Sequence, residues 1–196
     1  MRVVQLGPYP PPHGGIQTHV TSLRDFLVQQ RISCSVINIT GTRRQDTDDV
    51  YYPRHALQLA TLLLRLPYDI VHVHIGGRLT RRLVGLGLLC CFVPGKKAVL
   101  TFHSGGYPSS TDAATASSAT LRGFMFRRFD RLIGVNSQVV DLFHRFGVPP
   151  TRTRLICPYG VVGGPPAGAT ASSEDEQSCA LTEFYRSHDP VLLTVG

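Results

Sequence analysis

Apolar positions along this chain follow two alternating patterns. Short runs rich in β-branched residues predict strands at Arg2–Leu6, Ser33–Ile39, Ile70–His74, Ala98–Phe102, Arg131–Val135 and Arg154–Cys157. Between them, longer stretches with apolar side chains at helical spacing predict helices at about Ile16–Gln30, Arg54–Leu66, Arg78–Phe92, Ala116–Phe129 and Ser137–Phe146. Asn136-Ser137 supply a cap for the last of these helices, and Gly147 followed by Pro149-Pro150 supplies its stop. Regular strand–helix alternation implies an α/β domain, a parallel sheet wound right-handedly with helices on both faces.

Two segments break the rhythm. Residues Ser104 to Ala119 are almost all small and directly follow a central strand. A loop of that length at the carboxyl end of a parallel strand predicts a binding loop or lid. Residues Val161 to Ala180 are rich in Gly, Pro, Ala and Ser around Glu174-Asp175-Glu176, which is linker chemistry. Leu181–Ser187 then reads as a short helix, and Pro190-Val-Leu-Leu-Thr-Val-Gly196 as a buried strand. The expected organisation is a domain over 1–160, a linker and short helix over 161–189, and the first strand of a second domain over 190–196.

The amino-terminal strand runs through Gly7-Pro-Tyr-Pro-Pro-Pro-His into Gly14-Gly15, which opens a helix. Helix N-termini carry unpaired N–H groups and a partial positive charge, and glycines there let a phosphate approach closely. The wide, proline-stiffened spacing between Gly7 and Gly14 sets this turn apart from the compact G-x-G-x-x-G of dinucleotide sites. Taken alone, the stretch is equally a plain strand–loop–helix connection.

Composition narrows the field. The net charge is +7, from 20 Lys+Arg against 13 Asp+Glu. Most of the excess is arginine in short groups: Arg43-Arg44, Arg78 with Arg81-Arg82, and Arg122 with Arg127-Arg128 and Arg131. With no long basic run or aromatic ladder, this disfavours nucleic acid and suits anionic headgroups or a phosphorylated substrate. The 5 cysteines lack zinc spacing, and Cys90-Cys91 read as small buried side chains. The amino terminus lacks a signal-peptide pattern, so a reducing cytoplasm is expected. The most apolar run, Leu83 to Val93, is far shorter than the roughly 20 residues of a membrane span.

Four segments together resemble the amino-terminal domain of a GT-B-fold retaining glycosyltransferase of family 4. They are Gly7-Pro-Tyr-Pro-Pro-Pro-His-Gly-Gly-Ile, Asp69-Ile-Val-His-Val-His, Val99-Leu-Thr-Phe-His-Ser-Gly-Gly and Asp130-Arg-Leu-Ile-Gly-Val-Asn-Ser. Arg154-Leu-Ile-Cys-Pro-Tyr-Gly-Val is similar to the family's crossing point, with Tyr159 where asparagine is usual. The resemblance implies a Rossmann-like acceptor-side domain, the N-terminal half of a GT-B fold truncated at the start of its donor-binding domain. It implies sugar transfer with retention from a nucleotide-sugar to a glycan or lipid-linked acceptor in polysaccharide biosynthesis. No cofactor and no metal are expected, and the fragment alone is expected to be inactive.

By that resemblance Gly14 and Gly15 lie against the donor diphosphate, and His103 is the catalytic-site residue, close to the transferred sugar or acceptor. A neutral imidazole donates one hydrogen bond and accepts another, which suits hydroxyl-rich ligands. Tyr9, His13, Ser104, Gly105, Gly106, His74 and Ser137 are the acceptor-side candidates, with Ser137 equally explained as a helix cap. His72 and His74 share one strand face like a metal pair, but no third ligand is evident, and structural hydrogen bonding is the favoured reading. His19 is expected to pack or face solvent. Asp69 and Asp130 precede strands, which points to turn or capping roles.

The partners implied are the missing donor-binding domain and an anionic membrane surface. Arg78, Arg81 and Arg82 beside Leu79, Leu83 and Leu86 would supply the latter at about 1 kcal/mol per arginine. The competing readings are a non-catalytic sugar- or phosphate-binding module, one subunit of a split transferase, and half of a GT-B-fold epimerase.

Overall fold

A computed structural model describes residues 1–40 and 49–157. Seven strands form one sheet: β1 (Arg2–Gly7), β2 (Ser33–Asn38), β3 (Val50–Tyr51), β4 (Ile70–Ile75), β5 (Lys97–Phe102), β6 (Arg131–Gly134) and β7 (Thr153–Leu155). Their order is β3-β2-β1-β4-β5-β6-β7, and every pairing is parallel. Among the described residues the six α-helices are α1 (Gly15–Gln29), α2 (Ala56–Arg65), α3 (Arg81–Cys91), α4 (Thr111–Ala114), α5 (Leu121–Arg128) and α6 (Ser137–Arg145). This is the expected α/β architecture, with β3 added at one edge; two residues are too few to give a periodic signal.

Alternation along the strands divides the sheet into two unlike faces. Val4, Leu6, Val71, Val73, Ile75, Leu100 and Phe102 join the large core beneath α2, α3, α5 and α6. Its centre is aromatic: Phe126 stacks against Phe143 at 5.2 Å and Phe146 at 5.0 Å between ring centroids. On the other face a smaller cluster of Tyr9, Val20 and Val36 lies under α1, with Ile16 and Val50 packed on it. The intervening positions of that face are polar. Gln5 is fully buried and donates to Val20 O and Cys34 Sγ.

Caps explain where helices start. Thr80, Thr120 and Asn136 accept from the backbone N–H three residues on, so α3, α5 and α6 begin at Arg81, Leu121 and Ser137. The starts expected at Arg78 and Ala116 are therefore too early. At the end of α6, Gly147 has φ +82°, its N–H reaches His144 O, and Val148 N–H reaches Phe143 O, a Schellman stop.

The segment after β5 departs most from expectation. Instead of an open lid it holds a 3-10 turn (Tyr107–Ser109) and α4, pinned by Tyr107 and Ala113, both buried in the large core. Isolated apolar residues among small polar ones carry no periodicity, which is why the sequence reads as loop. The linker, short helix and terminal strand expected over 161–196, with Tyr159, Cys179 and Arg43-Arg44, lie outside the described residues.

Candidate functional site

Because all strands are parallel, their carboxyl ends share one edge, and the loops that follow β1, β4, β5 and β6 gather there. Gly14 is the N-cap of α1. No side chain among the described residues caps this helix, and its first turn holds no acid. The leading N–H groups are thus free for an anion, and the helix dipole favours one. A Cβ on Gly15 would meet nothing within 4 Å among the described residues, whereas one on Gly14 would meet only the Gln17 side-chain tip at 2.8 Å.

Close packing brings this helix start to the end of β5. Gly76, after β4, lets α1 come close: a Cβ there would lie 2.3 Å from Ile16 Cδ1, so that side-chain tip would have to shift, and 3.9 Å from His103 Cβ. Gly7 similarly admits His74, whose Cβ would be 2.9 Å from a Cβ added there. His72 and His74 alternate with the core-facing residues of β4 and therefore point to the α1 face, where His103 follows β5. His19 descends from the second turn of α1 onto the same spot.

The result is a cluster of four histidines. His74 Nδ1 lies 3.1 Å from His103 Nε2, and His72 Nε2 lies 2.7 Å from Thr101 Oγ1. Ring centroids of His72 and His74 are 4.2 Å apart, and those of His19 and His103 are 4.9 Å apart in an edge-to-face contact. Burial disfavours the charged imidazolium at each. It lowers His103 to about 4, His72 to about 3, His74 well below its ordinary value, and His19 in the same direction. Proximity to one another adds to the effect at His72, His74 and His103. All four rings are accordingly neutral near pH 7, able to donate one hydrogen bond and accept one. One ring nitrogen from each of His19, His74 and His103 lies within 4.8 Å of the others.

Not every residue singled out from the sequence meets at this point. His103, half-buried, faces the edge, with Ser104 and Gly105 half-buried beside it and Gly106 exposed. His74 is 1% exposed, so it sits behind His103 rather than on the surface. Tyr9 is buried in the small core; its backbone N–H and C=O pair with the Asn38 side chain, which ties down the proline loop. His13 is exposed at the end of that loop. Asn136, not Ser137, caps α6, so the exposed Ser137 hydroxyl is not engaged as the cap. Asp69 and Asp130 do lie at the opposite edge, where Asp69 accepts from Arg2 N–H and Asp130 from Ala98 N–H.

His19 packs, as one of the two expected alternatives has it, but the sequence did not reveal that its partners are His74 and His103. Its signal was helical: Ile16, His19 and Val20 share one face at i, i+3 and i+4, and that face packs on the sheet. No local pattern announces the cavity of about 540 Å³ on the α3 side of the sheet. Its walls include Arg78, Arg81, Arg122 and Asp112, with the caps Thr80 and Thr120. Asp112 pairs with Arg78 at 3.3 Å and Arg122 at 3.6 Å, which leaves the wall net positive. Leu79 is buried, and Leu83 and Leu86 pack against the core, so α3 is a core-packed helix whose exposed face carries arginines. Among the described residues no helix is long and apolar enough to cross a membrane.

A family model described as Glycosyltransferase Family 4 matches residues 13–159. No curated protein matches the chain in sequence. Similar solved structures include an α-glucosyltransferase bound to UDP and a 13-mer DNA with a central A:G mismatch. It is 13% identical, with TM-score 0.47, over 70% of this chain and 37% of that one. HepE of Anabaena in complex with UDP is 15% identical, with TM-score 0.47, over 80% and 43%. A homoserine dehydrogenase of S. aureus is 10% identical, with TM-score 0.40, over 80% and 32%. The chain thus spans less than half the length of each.

Proposed function

This chain belongs to glycosyltransferase family 4, and from that membership we propose that it is the acceptor-side half of a retaining glycosyltransferase. It moves a sugar from a nucleotide-sugar to a glycan or lipid-linked acceptor. The observation that carries the proposal is the meeting of an uncapped, acid-free α1 start at Gly14-Gly15 with the neutral imidazole of His103 at one sheet edge.

The chemistry follows from those groups. As the glycosidic bond to the donor breaks, negative charge grows on the departing nucleoside diphosphate. Fixed N–H dipoles at the start of α1 stabilise that charge without reorganising. His103 hydrogen-bonds a hydroxyl of the sugar or acceptor, and His74 behind it fixes the ring's orientation through the 3.1 Å contact. Retention, and a donor site in a further domain that residues 1–160 would face, rest on the family resemblance of the four motifs. For the same reason residues 1–196 alone are expected to give no useful turnover.

The arginine-walled cavity supports a phosphate-bearing, lipid-linked acceptor. The start of α3 and the start of α5 both open onto it, and Arg81 adds charge that no ion pair among the described residues neutralises. A peripheral position at the cytoplasmic face of a membrane agrees with the exposed arginines of α3, by electrostatic attraction rather than insertion.

The test is binding of UDP and of inorganic pyrophosphate followed by backbone amide NMR. Shifts centred on Gly14, Gly15 and Ile16 are expected. Gly15→Val places a side chain in open space and over the anion seat, so it should weaken binding by about tenfold or more while leaving the unfolding midpoint unchanged. Shifts that map elsewhere, or equal binding by the variant, overturn the assignment.

A further inference from the structure

We propose that His19, His74 and His103 form a three-imidazole site for a borderline divalent cation, of which Zn2+ and Co2+ are the probes. The argument begins with spacing. One ring nitrogen from each residue lies within 4.8 Å of the others. Tetrahedral ligands at about 2.0–2.1 Å from zinc are about 3.4 Å apart. His74 Nδ1 and His103 Nε2, at 3.1 Å, are already near that separation. His19 is half-buried on the sheet-facing side of α1, where its ring already touches His103, so a small side-chain rotation closes the remaining distance.

The second observation is that the buried His74 ring is paired on one side only, through the Nδ1 contact that an ion between the two rings would replace. His74 is 1% exposed, and its Nε2 has no hydrogen-bond partner among the described residues. The donor set then selects the ion. Three neutral nitrogens with no carboxylate among them suit zinc, cobalt, nickel or copper, and not magnesium or calcium, which take oxygen. Around the triad, Thr101 holds the neighbouring His72 ring in place through the 2.7 Å contact. His19 and His103 are only half-buried, so the fourth coordination position is reachable from the sheet edge and takes water or an anion.

Metal binding here does not depend on the transferase reading. It engages the His103 ring that the reading gives to a substrate hydroxyl, so a bound ion and that hydroxyl compete.

The experiment is a Co2+ titration of the whole chain at pH 7.5, followed in the visible ligand-field region, with Zn2+ displacement. One equivalent is expected to give the intense bands of a four-coordinate site, bleached by Zn2+. His19→Gln and His103→Gln, which keep bulk and hydrogen bonding, should each weaken binding at least tenfold. His55→Ser, which preserves the cap of α2, should leave it unchanged. A signal that survives both glutamine variants, follows His13, or carries a thiolate charge-transfer band from one of the cysteines overturns the proposal, as does absence of stoichiometric binding.

Discussion

Proton linkage at His72 gives a prediction whose size follows directly from burial. This ring lies inside the histidine cluster, is 9% exposed, and is held at a pKa of about 3, against about 6.5 for an unfolded histidine. Between those two values the unfolded chain binds a proton at this position and the folded chain does not. Stability is therefore complete above about pH 6.5 and falls as the pH drops toward 3, by about 1.4 kcal/mol per pH unit. Integrated from pH 7 to pH 5, His72 alone removes about 2 kcal/mol. His74, His103 and His19 shift in the same direction and add to the loss. The assay is urea unfolding by far-ultraviolet circular dichroism at pH 7, 6 and 5. His72→Gln retains a partner for Thr101 without titrating, so its stability should fall less steeply with acid, by close to one proton's worth. Asp69 and Asp130 titrate in wild type and variant alike, and their lowered pKa values confine their effect to more acidic solutions. Identical slopes for the two proteins, or a wild type whose stability is flat from pH 7 to 5, would refute the account of a neutral buried cluster.

Two further substitutions test the packing and capping that shape the site. Gly123→Ala puts a Cβ 2.4 Å from Ser117 O and 3.0 Å from Ser118 Cα, both backbone atoms. A loss of about 2–3 kcal/mol is expected in chemical denaturation, and a neutral outcome would mean that the turn before α5 yields freely. Asn136→Ala removes the acceptor that holds Val139 N–H at 2.9 Å, costing about 1 kcal/mol, and Asn136→Ser should restore most of it. Failure of serine to restore stability would show that the asparagine acts through something other than the cap.

Much of this protein is determined locally and so is legible in its sequence. Strand runs and helical spacing are properties of neighbouring residues, and they placed six of the seven strands to within about two residues. Gly147 and Asn136 mark the ends of α6 by conformational and hydrogen-bonding preferences that need no distant partner. The parallel sheet follows from alternation itself, and with it the gathering of Gly14, Gly15 and His103 at one edge. What tertiary structure decided was which residues from separate elements share a point in space. His19 meets His74 and His103 only because Gly7 and Gly76 let α1 and the loop after β4 approach closely, and a glycine's neighbours are not written beside it in the chain. Tyr107 and Ala113 turn an apparent binding loop or lid into a structured segment because the large core accepts them, Tyr107 edge-to-face on Phe102, not because the local sequence repeats. Asp112 likewise draws Arg78 and Arg122, 34 and 10 residues away, onto one cavity wall. Short-range propensities fix the elements, whereas side-chain convergence depends on how their surfaces interlock, and the candidate site is made of that convergence.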